Sequence, residues 1–306
     1  MQLKELGKTG VLLSEIGLGT WDYKGDTTAL RRGLEAGALF IDTAESYGTE
    51  ALVGELLREV RQAIHESVFV ATKVSPQNFH ARDFVRSVES SLRKLGIETI
   101  DLLQLHEPNL TIPIEETMAA LSELVDRGKV RFCGVSNFSV RELQAAQSAL
   151  GKHRIVSNQV RYNLMDRTIE KDILPYCQAN EITVIAYSPL AKGINRILDC
   201  DPDGTIAKIA QATGKTPAQI MINWCNSKDG VVSIPKSNSV ERVLENCGAS
   251  DWRLSSEQLN LLDEGIKFRH RTKFDSLVRK LIPRSLHTVA IKVRALLPRG
   301  LRRRIT

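Results

Sequence analysis

The fold class this sequence predicts is α/β, a closed (β/α)8 TIM barrel. Three observations carry it. Short, continuous apolar runs rich in Val and Ile recur along the chain, as strands buried on both faces of a parallel sheet do. Stretches with apolar residues at helical spacing lie between them, giving eight strand–helix units. The length, 306 residues, suits one such barrel. A doubly wound sheet is the alternative arrangement of the same units.

The opening LKELGKTGVLLSEI places Gly7 and Gly10 between two apolar pieces and reads as a β-hairpin, closing the bottom of the barrel. The strand runs follow in order: IGLGT near Ile16, LFIDT near Leu39, VFVATKV near Val68 and IDLLQLH near Ile100. Then come VRFCGVSN near Val130, IVSNQVRY near Ile155, ITVIAYSP near Ile182 and VVSIPK near Val231. Between them, Ala81 to Leu95 sets Phe84, Val88, Leu92 and Leu95 on one helical face. Ile114 to Val125 does the same with Met118, Leu121 and Val125, and Ser139 stands as a cap before VRELQAAQ.

Hydrophobic residues make up 42% and charged residues 25%, so a core that needs no staples is expected. The five cysteines, Cys133, Cys177, Cys200, Cys225 and Cys247, are odd in number and lack CxxC spacing. That points away from a disulfide framework or a zinc site and toward a reducing compartment. The start MQLKELGKTG carries no signal-like apolar run, and no stretch is long enough to span a membrane, so the expected location is cytoplasmic. The net charge of +6 is unevenly divided: residues 267–306 hold 13 Lys and Arg against Asp275, a net +12, which leaves −6 on residues 1–266. A barrel over 1–266 followed by a basic helical C-terminal tail over 267–306, with its own partner, is the expected organisation.

In a barrel of this kind, chemistry collects at the C-terminal ends of the strands. Asp42 ends the second strand, Tyr47 follows it in the loop, Lys73 lies near the end of the third and His106 ends the fourth. A phenol titrates near 10, too high for proton transfer at neutral pH, and a nearby ammonium favours the phenolate. Asp42 would hold that ammonium, and His106 would donate a hydrogen bond to a carbonyl oxygen. Singly, each residue has a bland reading: a cap, a solvated lysine, a structural histidine, a packing tyrosine. Together on adjacent strand ends they favour a site. Lys236 and Arg242 flank the start of the last helix, and a helix N-terminus with two cations is a ready phosphate site, favouring NADPH over NADH. The run Gly17-Leu18-Gly19-Thr20-Trp21-Asp22 lacks the third glycine of a dinucleotide fingerprint, which argues against a Rossmann domain.

The segment FIDTAESYGTEALVG resembles the aldo-keto reductase signature, VATKV that family's lysine strand and DLLQLHEP its histidine strand. GKVRFCGVSNFS and IPKSNSVERVLEN resemble its cofactor-contact strand and its phosphate and adenine motif; the matches keep the family's order over about residues 3 to 266. The resemblance implies NADPH-dependent reduction of aldehyde or ketone carbonyls, with Asp42, Tyr47, Lys73 and His106 as catalytic tetrad. It implies that Ser136, Asn137 and Gln159 hold the nicotinamide carboxamide and that Tyr187 stacks on the ring. Gly19, Thr20 and Asp42 join the cofactor contacts, Ser188, Pro189, Leu190 and Lys192 follow the pyrophosphate, Lys236, Ser237, Asn238 and Arg242 take the 2′-phosphate, and Glu245 and Asn246 the adenine. No metal is implied.

Departures from that pattern lie in the short loop EPNLTIPIEET after His106, the short stretch from Gly193 to Thr205, and the C-terminus, a basic tail matching no family motif. The substrate is therefore read only as a small carbonyl compound. Trp21, Tyr23 and Phe79, which follow the first and third strands, are expected as pocket walls, with loop packing as the alternative. The alternative function is a cofactor-binding regulatory or scaffold subunit with weak turnover. In the tail, Phe274, Leu277, Val278, Leu281 and Ile282 form one apolar stripe, Pro283 breaks it, and Leu286, Val289, Ala290, Val293 and Leu297 form another. Two basic amphipathic helices suit an anionic membrane surface and peripheral location; docking on the barrel or covering the pocket is the other reading. Nucleic acid is disfavoured, since Phe268 and Phe274 are the tail's only aromatics.

Overall fold

In the computed structural model, which describes residues 1–60 and 68–268, the apolar runs become strands in the expected order. The chain opens with an antiparallel hairpin, β1 (Leu3–Glu5) and β2 (Leu12–Ser14). Gly7 and Gly10 sit in its turn at φ 56° and 74°, a left-handed geometry that a side chain would strain. Among the described residues, eight parallel strands then build one sheet: β3 (Leu18–Gly19), β4 (Phe40–Asp42), β5 (Phe69–Val74) and β6 (Ile100–Leu105), continuing into β7 (Val130–Ser136), β8 (Ile155–Arg161), β9 (Thr183–Tyr187) and β10 (Val231–Ile234). Neighbours in sequence are neighbours in the sheet. The first and last strands meet as well: Ile16 bridges Ser233, and the Gly19 N–H donates to the Pro235 carbonyl at 3.0 Å. A Cβ at Gly19 would stand 2.8 Å from the Ile234 carbonyl oxygen, so the closing seam needs glycine there.

Helices wrap the outside: α1 (Thr27–Glu35), α2 (Glu50–Val60), α3 (Ala81–Leu95), α4 (Ile114–Asp126), α5 (Val140–Leu150) and α6 (Ile173–Ala179). After β9 come α7 (Asn195–Leu198), α8 (Thr205–Thr213) and α9 (Pro217–Asn226), and after β10 come α10 (Val240–Cys247) and α11 (Ser256–Gly265). The helix expected to be last, α10, is thus followed by one more. α3 has the expected bounds and buries Phe84, Val88, Leu92 and Leu95. Ser139 caps α5 in a capping box with Glu142.

Two clusters hold most of the core among the described residues. The larger fills the space between sheet and helices. The smaller fills the barrel, where Phe40, Phe69, Ala71, Leu102, Val156, Ile185, Val232 and Ile234 meet Leu6 and Leu13 of the hairpin. The hairpin therefore plugs the N-terminal end and leaves the C-terminal end of the strands for chemistry. Residues Met1–Phe268 form one compact unit. The Lys267 N–H donates to the Cys200 carbonyl at 2.8 Å, and the Phe268 ring lies 4.4 Å from the Arg167 guanidinium. Beyond Phe268 the expected basic helices lie outside the described residues. Among the described residues no helix is long and apolar enough to cross a membrane.

Candidate active site

Every strand of the barrel ends at the same mouth, and four of the sequence candidates come together there. Asp42 is the last residue of β4 and Lys73 the last but one of β5, the strand beside it. Both side chains are buried, and they form an ion pair of 2.6 Å. The ammonium also donates to the Thr43 carbonyl at 2.8 Å. Burial pushes the Lys73 pKa below its ordinary value, while the Asp42 carboxylate opposes that shift. The second carboxylate oxygen of Asp42 accepts from Gln159 Nε2 at 2.7 Å and Gln104 Nε2 at 3.4 Å. An ion pair taken out of water persists only when its remaining hydrogen-bonding capacity is met, and the two glutamines meet it.

Above this pair lies the half-buried Tyr47, at the end of a single 3-10 turn over Glu45–Tyr47. The turn is anchored by Glu45, whose Oε1 accepts from the Ser75 N–H at 2.6 Å and from Asn78 Nδ2 at 3.0 Å. Lys73 Nζ lies 4.9 Å from the Tyr47 ring centroid. His106 immediately follows β6 and meets Tyr47 edge-on, with the Tyr47 hydroxyl 3.5 Å from Nε2. Ser46 Oγ stands 3.4 Å from Nδ1 on the other side of the imidazole. Hydroxyl and imidazole thus face each other at the mouth, with the ammonium beside the tyrosine ring.

A second group of candidates joins this one. Asn137, just past β7 at φ 63°, donates from Nδ2 to the His106 carbonyl at 3.2 Å and to Ser136 Oγ at 3.0 Å. The Tyr187 hydroxyl donates to Asn137 Oδ1 at 2.9 Å, which fixes the half-buried ring at the mouth. The loop after β9 turns sharply, with Ser188, Ala191 and Lys192 at φ 53°, 52° and 63°. Asn163 Nδ2 donates to the Ser188 carbonyl at 2.9 Å, and Lys192 Nζ lies 3.9 Å over the Trp21 ring. Pro189 is buried and Leu190 half-buried in the same loop.

Farther along the same edge, a cleft beside β3 and β10 is lined by Gly19, Ser237 and Asn246, with Leu18, Pro235 and Val243 as apolar neighbours. It adjoins the N-terminus of α10, where Ser239 Oγ accepts from the Arg242 N–H at 3.3 Å. Lys236 is half-buried; burial and the nearby Lys24 lower its pKa, while Asp22 opposes. Arg242 and Asn238 are exposed, Asn238 Oδ1 accepting from the Lys24 N–H at 3.1 Å, and Glu245 is half-buried. This donor set fits a phosphorylated dinucleotide: a cleft lined by Gly17 and Gly19 adjoins the N-terminus of α10, with Lys236 just before the helix and Arg242 in its first turn.

Three candidates lie elsewhere. Phe79 is 1% exposed and packs on Phe84, so it is a core residue and not a pocket wall. Tyr23 is also buried, and its hydroxyl donates to the Asp26 carbonyl at 2.8 Å. Both follow strand ends, but their loops turn the rings inward, where an aromatic buries the most apolar area. Trp21, about half exposed, stays at the mouth. Thr20 is fully buried with its hydroxyl 3.0 Å from the Asp42 carbonyl and 2.9 Å from Thr49 Oγ1, which directs it into the barrel wall. Conversely, Gln104 and Ser46 touch the tetrad without having been singled out; a glutamine within the apolar run IDLLQL was the available signal. Among the described residues no group of His, Cys, Asp or Glu side chains could hold a metal ion.

The model of the aldo/keto reductase family matches residues 15–267. The chain belongs to that family. It is 37% identical over 275 residues to methylglyoxal reductase YeaE of Escherichia coli, covering 86% of this chain and 95% of that protein. Among solved structures, a thermostable aldo-keto reductase, Tm1743, in complex with the inhibitor epalrestat aligns with a TM-score of 0.80 and 40% identity, covering 86% of this chain and 99% of that one. An aldo/keto reductase from Klebsiella pneumoniae, in complex with NADP and acetate, aligns at 0.77 and 36% identity, covering 88% and 96%. The expected fold, (β/α)8 with an N-terminal hairpin, is thus the family's own, and the chain is an NADP-dependent oxidoreductase.

Proposed function

We infer that this aldo/keto reductase reduces the carbonyl of a small aldehyde or ketone to the alcohol, with NADPH as reductant and Tyr47 as proton donor. The observation that carries the reading is the convergence of the Tyr47 hydroxyl, the buried Lys73–Asp42 pair at 2.6 Å and His106 at one mouth. When bound, the cofactor supplies hydride to the carbonyl carbon. His106 holds the carbonyl oxygen by a hydrogen bond, and the Tyr47 hydroxyl gives its proton to that oxygen. Lys73 stabilises the phenolate left behind, and Asp42 keeps the ammonium in place. The Tyr47 hydroxyl and His106 Nε2, 3.5 Å apart, stand close enough for one carbonyl oxygen to meet both. Ser136, Asn137 and Gln159 would hold the carboxamide, and the ring of Tyr187 the nicotinamide face. Steady-state NADPH oxidation against a panel of aldehydes, ketones and sugars tests the reading; methylglyoxal belongs on it because a relative is named for it. No observation favours the regulatory or scaffold alternative.

Lys236, Ser237, Asn238 and Arg242 would take the 2′-phosphate, and Glu245 and Asn246 the adenine. Arg242→Ala is then expected to weaken NADPH about 10- to 100-fold and to leave NADH nearly unchanged, since a hydrogen bond to a charged group is worth about 1.5–3 kcal/mol. Fluorescence titration with both cofactors reads this, and equal losses would remove Arg242 from the phosphate site.

For residues 267–306 we propose an anionic membrane surface as partner, on the strength of two amphipathic stripes and a net charge of +12. Each basic residue near such a surface contributes roughly 1 kcal/mol. The full chain is expected to co-sediment with anionic vesicles at low salt, while a chain ending at Ile266 stays in the supernatant. Should both remain in solution, docking on the barrel becomes the better account of the tail.

A further inference from the structure

Arg161 is the last residue of β8, at the mouth of the barrel. Gln159, two positions earlier, reaches inward to the Asp42 carboxylate. Side chains two apart on a strand share a face, and the strand rises about 6.6 Å between them, so Arg161 belongs to the layer just above the Asp42–Lys73 pair. Its contact confirms the direction: the guanidinium carbon lies 5.7 Å from the centroid of Tyr187, its register partner on β9, whose ring packs against the barrel interior. Among the described residues no carboxylate comes within ion-pair distance of Arg161, unlike Arg154, Arg167 and Arg253, which are paired with acids. Its Nε is buried without an acceptor. A buried donor left unmatched is costly, and a guanidinium presents a planar fork that matches a carboxylate.

We propose that Arg161 sets substrate specificity: it receives an anionic oxygen at the mouth, the carboxylate of a carbonyl substrate that is also an acid. The proposal rests on the carbonyl-reduction reading above and names its substrate class, an oxo-carboxylate or aldehyde acid. The guanidinium, in the layer above the Asp42–Lys73 pair and against Tyr187, would hold the acid end while Tyr47 and His106 hold the carbonyl. The same chemistry could serve a cofactor phosphate, but the cationic end of the cleft, Lys236 and Arg242, lies beyond β10, with β9 between it and the strand of Arg161.

The test compares 5-oxopentanoate with pentanal, which differ only in carboxylate for methyl, in the wild type, Arg161→Gln and Arg161→Lys. The wild type should favour 5-oxopentanoate in kcat/KM by about 10- to 100-fold. In Arg161→Gln that ratio should collapse toward unity through the KM of the acid, and Arg161→Lys should retain part of it because the charge remains. The Kd of NADPH, measured by fluorescence in all three, separates the two sources of anionic oxygen. A preserved ratio in Arg161→Gln overturns the proposal, as does a loss equal for both aldehydes together with weaker NADPH binding, which would assign the guanidinium to the cofactor. If Arg161→Gln does not fold, a wild-type ratio near one is itself sufficient to overturn it. Failure of the wild type to oxidise NADPH with either aldehyde would instead remove the carbonyl-reduction reading, and this inference with it.

Discussion

Tyr47→Phe is expected to lower kcat by about 10²–10⁴-fold, the usual contribution of a positioned general acid or base, while leaving NADPH affinity near that of the wild type. The ring fills the same half-buried position against His106, with centroids 5.4 Å apart, and Lys73 keeps its place beside it at 4.9 Å from the centroid. Only the hydroxyl that faces the imidazole is lost. The change therefore removes a proton donor from the carbonyl oxygen without altering what the cofactor touches. Stopped-flow measurement of NADPH oxidation, with binding read separately by fluorescence, tells the two apart. An unchanged kcat would take the proton-donor role away from Tyr47; an equal loss in affinity would mean that the hydroxyl organises the cofactor site.

Much of this site was legible because polar groups interrupt apolar runs. Lys73 within VFVATKV and Asp42 at the end of LFIDT are groups that a strand buried on both faces excludes unless they are paired. Gln104 carries the same signal in IDLLQL, yet pattern alone does not say that its amide reaches Asp42 on β4, two strands away. Strand alternation breaks at one place for a physical reason. Val156 packs inside the barrel and Gln159, three residues later, also reaches inward, which strict alternation forbids. The register between β7 and β8 shifts at Cys133/Gly134, and the irregularity resets the parity so that Gln159 and Arg161 face the mouth. The aromatic residues show the converse limit. Trp21, Tyr23 and Phe79 all follow strand ends, but whether a loop ring meets solvent or core depends on the turn beneath it. The 3-10 turn over Pro76–Asn78 delivers Phe79 into the core against Phe84. Pairings between distant strands and side-chain directions in loops are tertiary facts, and one sequence does not encode them in a readable period.

Lys73→Met is expected to cost both activity and stability, and the two losses separate on adding Asp42→Asn. The lysine is fully buried, and Asp42 is 2% exposed. Removing the ammonium strands a carboxylate whose other partners, Gln159 and Gln104, are neutral amides. Breaking a buried pair from one side typically costs about 3–5 kcal/mol, or roughly 6–20 °C in melting temperature for a domain near this size. In the double variant Lys73→Met/Asp42→Asn, the stranded charge is gone and the amide still accepts from its neighbours. Stability should therefore recover most of the way toward wild type, with a coupling of opposite sign to the single losses. Activity should not recover, because Tyr47 has no ammonium beside it to favour the phenolate. Thermal melts and NADPH oxidation on the four proteins of the cycle measure both quantities. If the double variant is no more stable than Lys73→Met, the cost lies in lost packing of the lysine stem and not in the unpaired carboxylate. If the double variant regains turnover, Lys73 acts only as a strut, and the tuning of Tyr47 must come from another group.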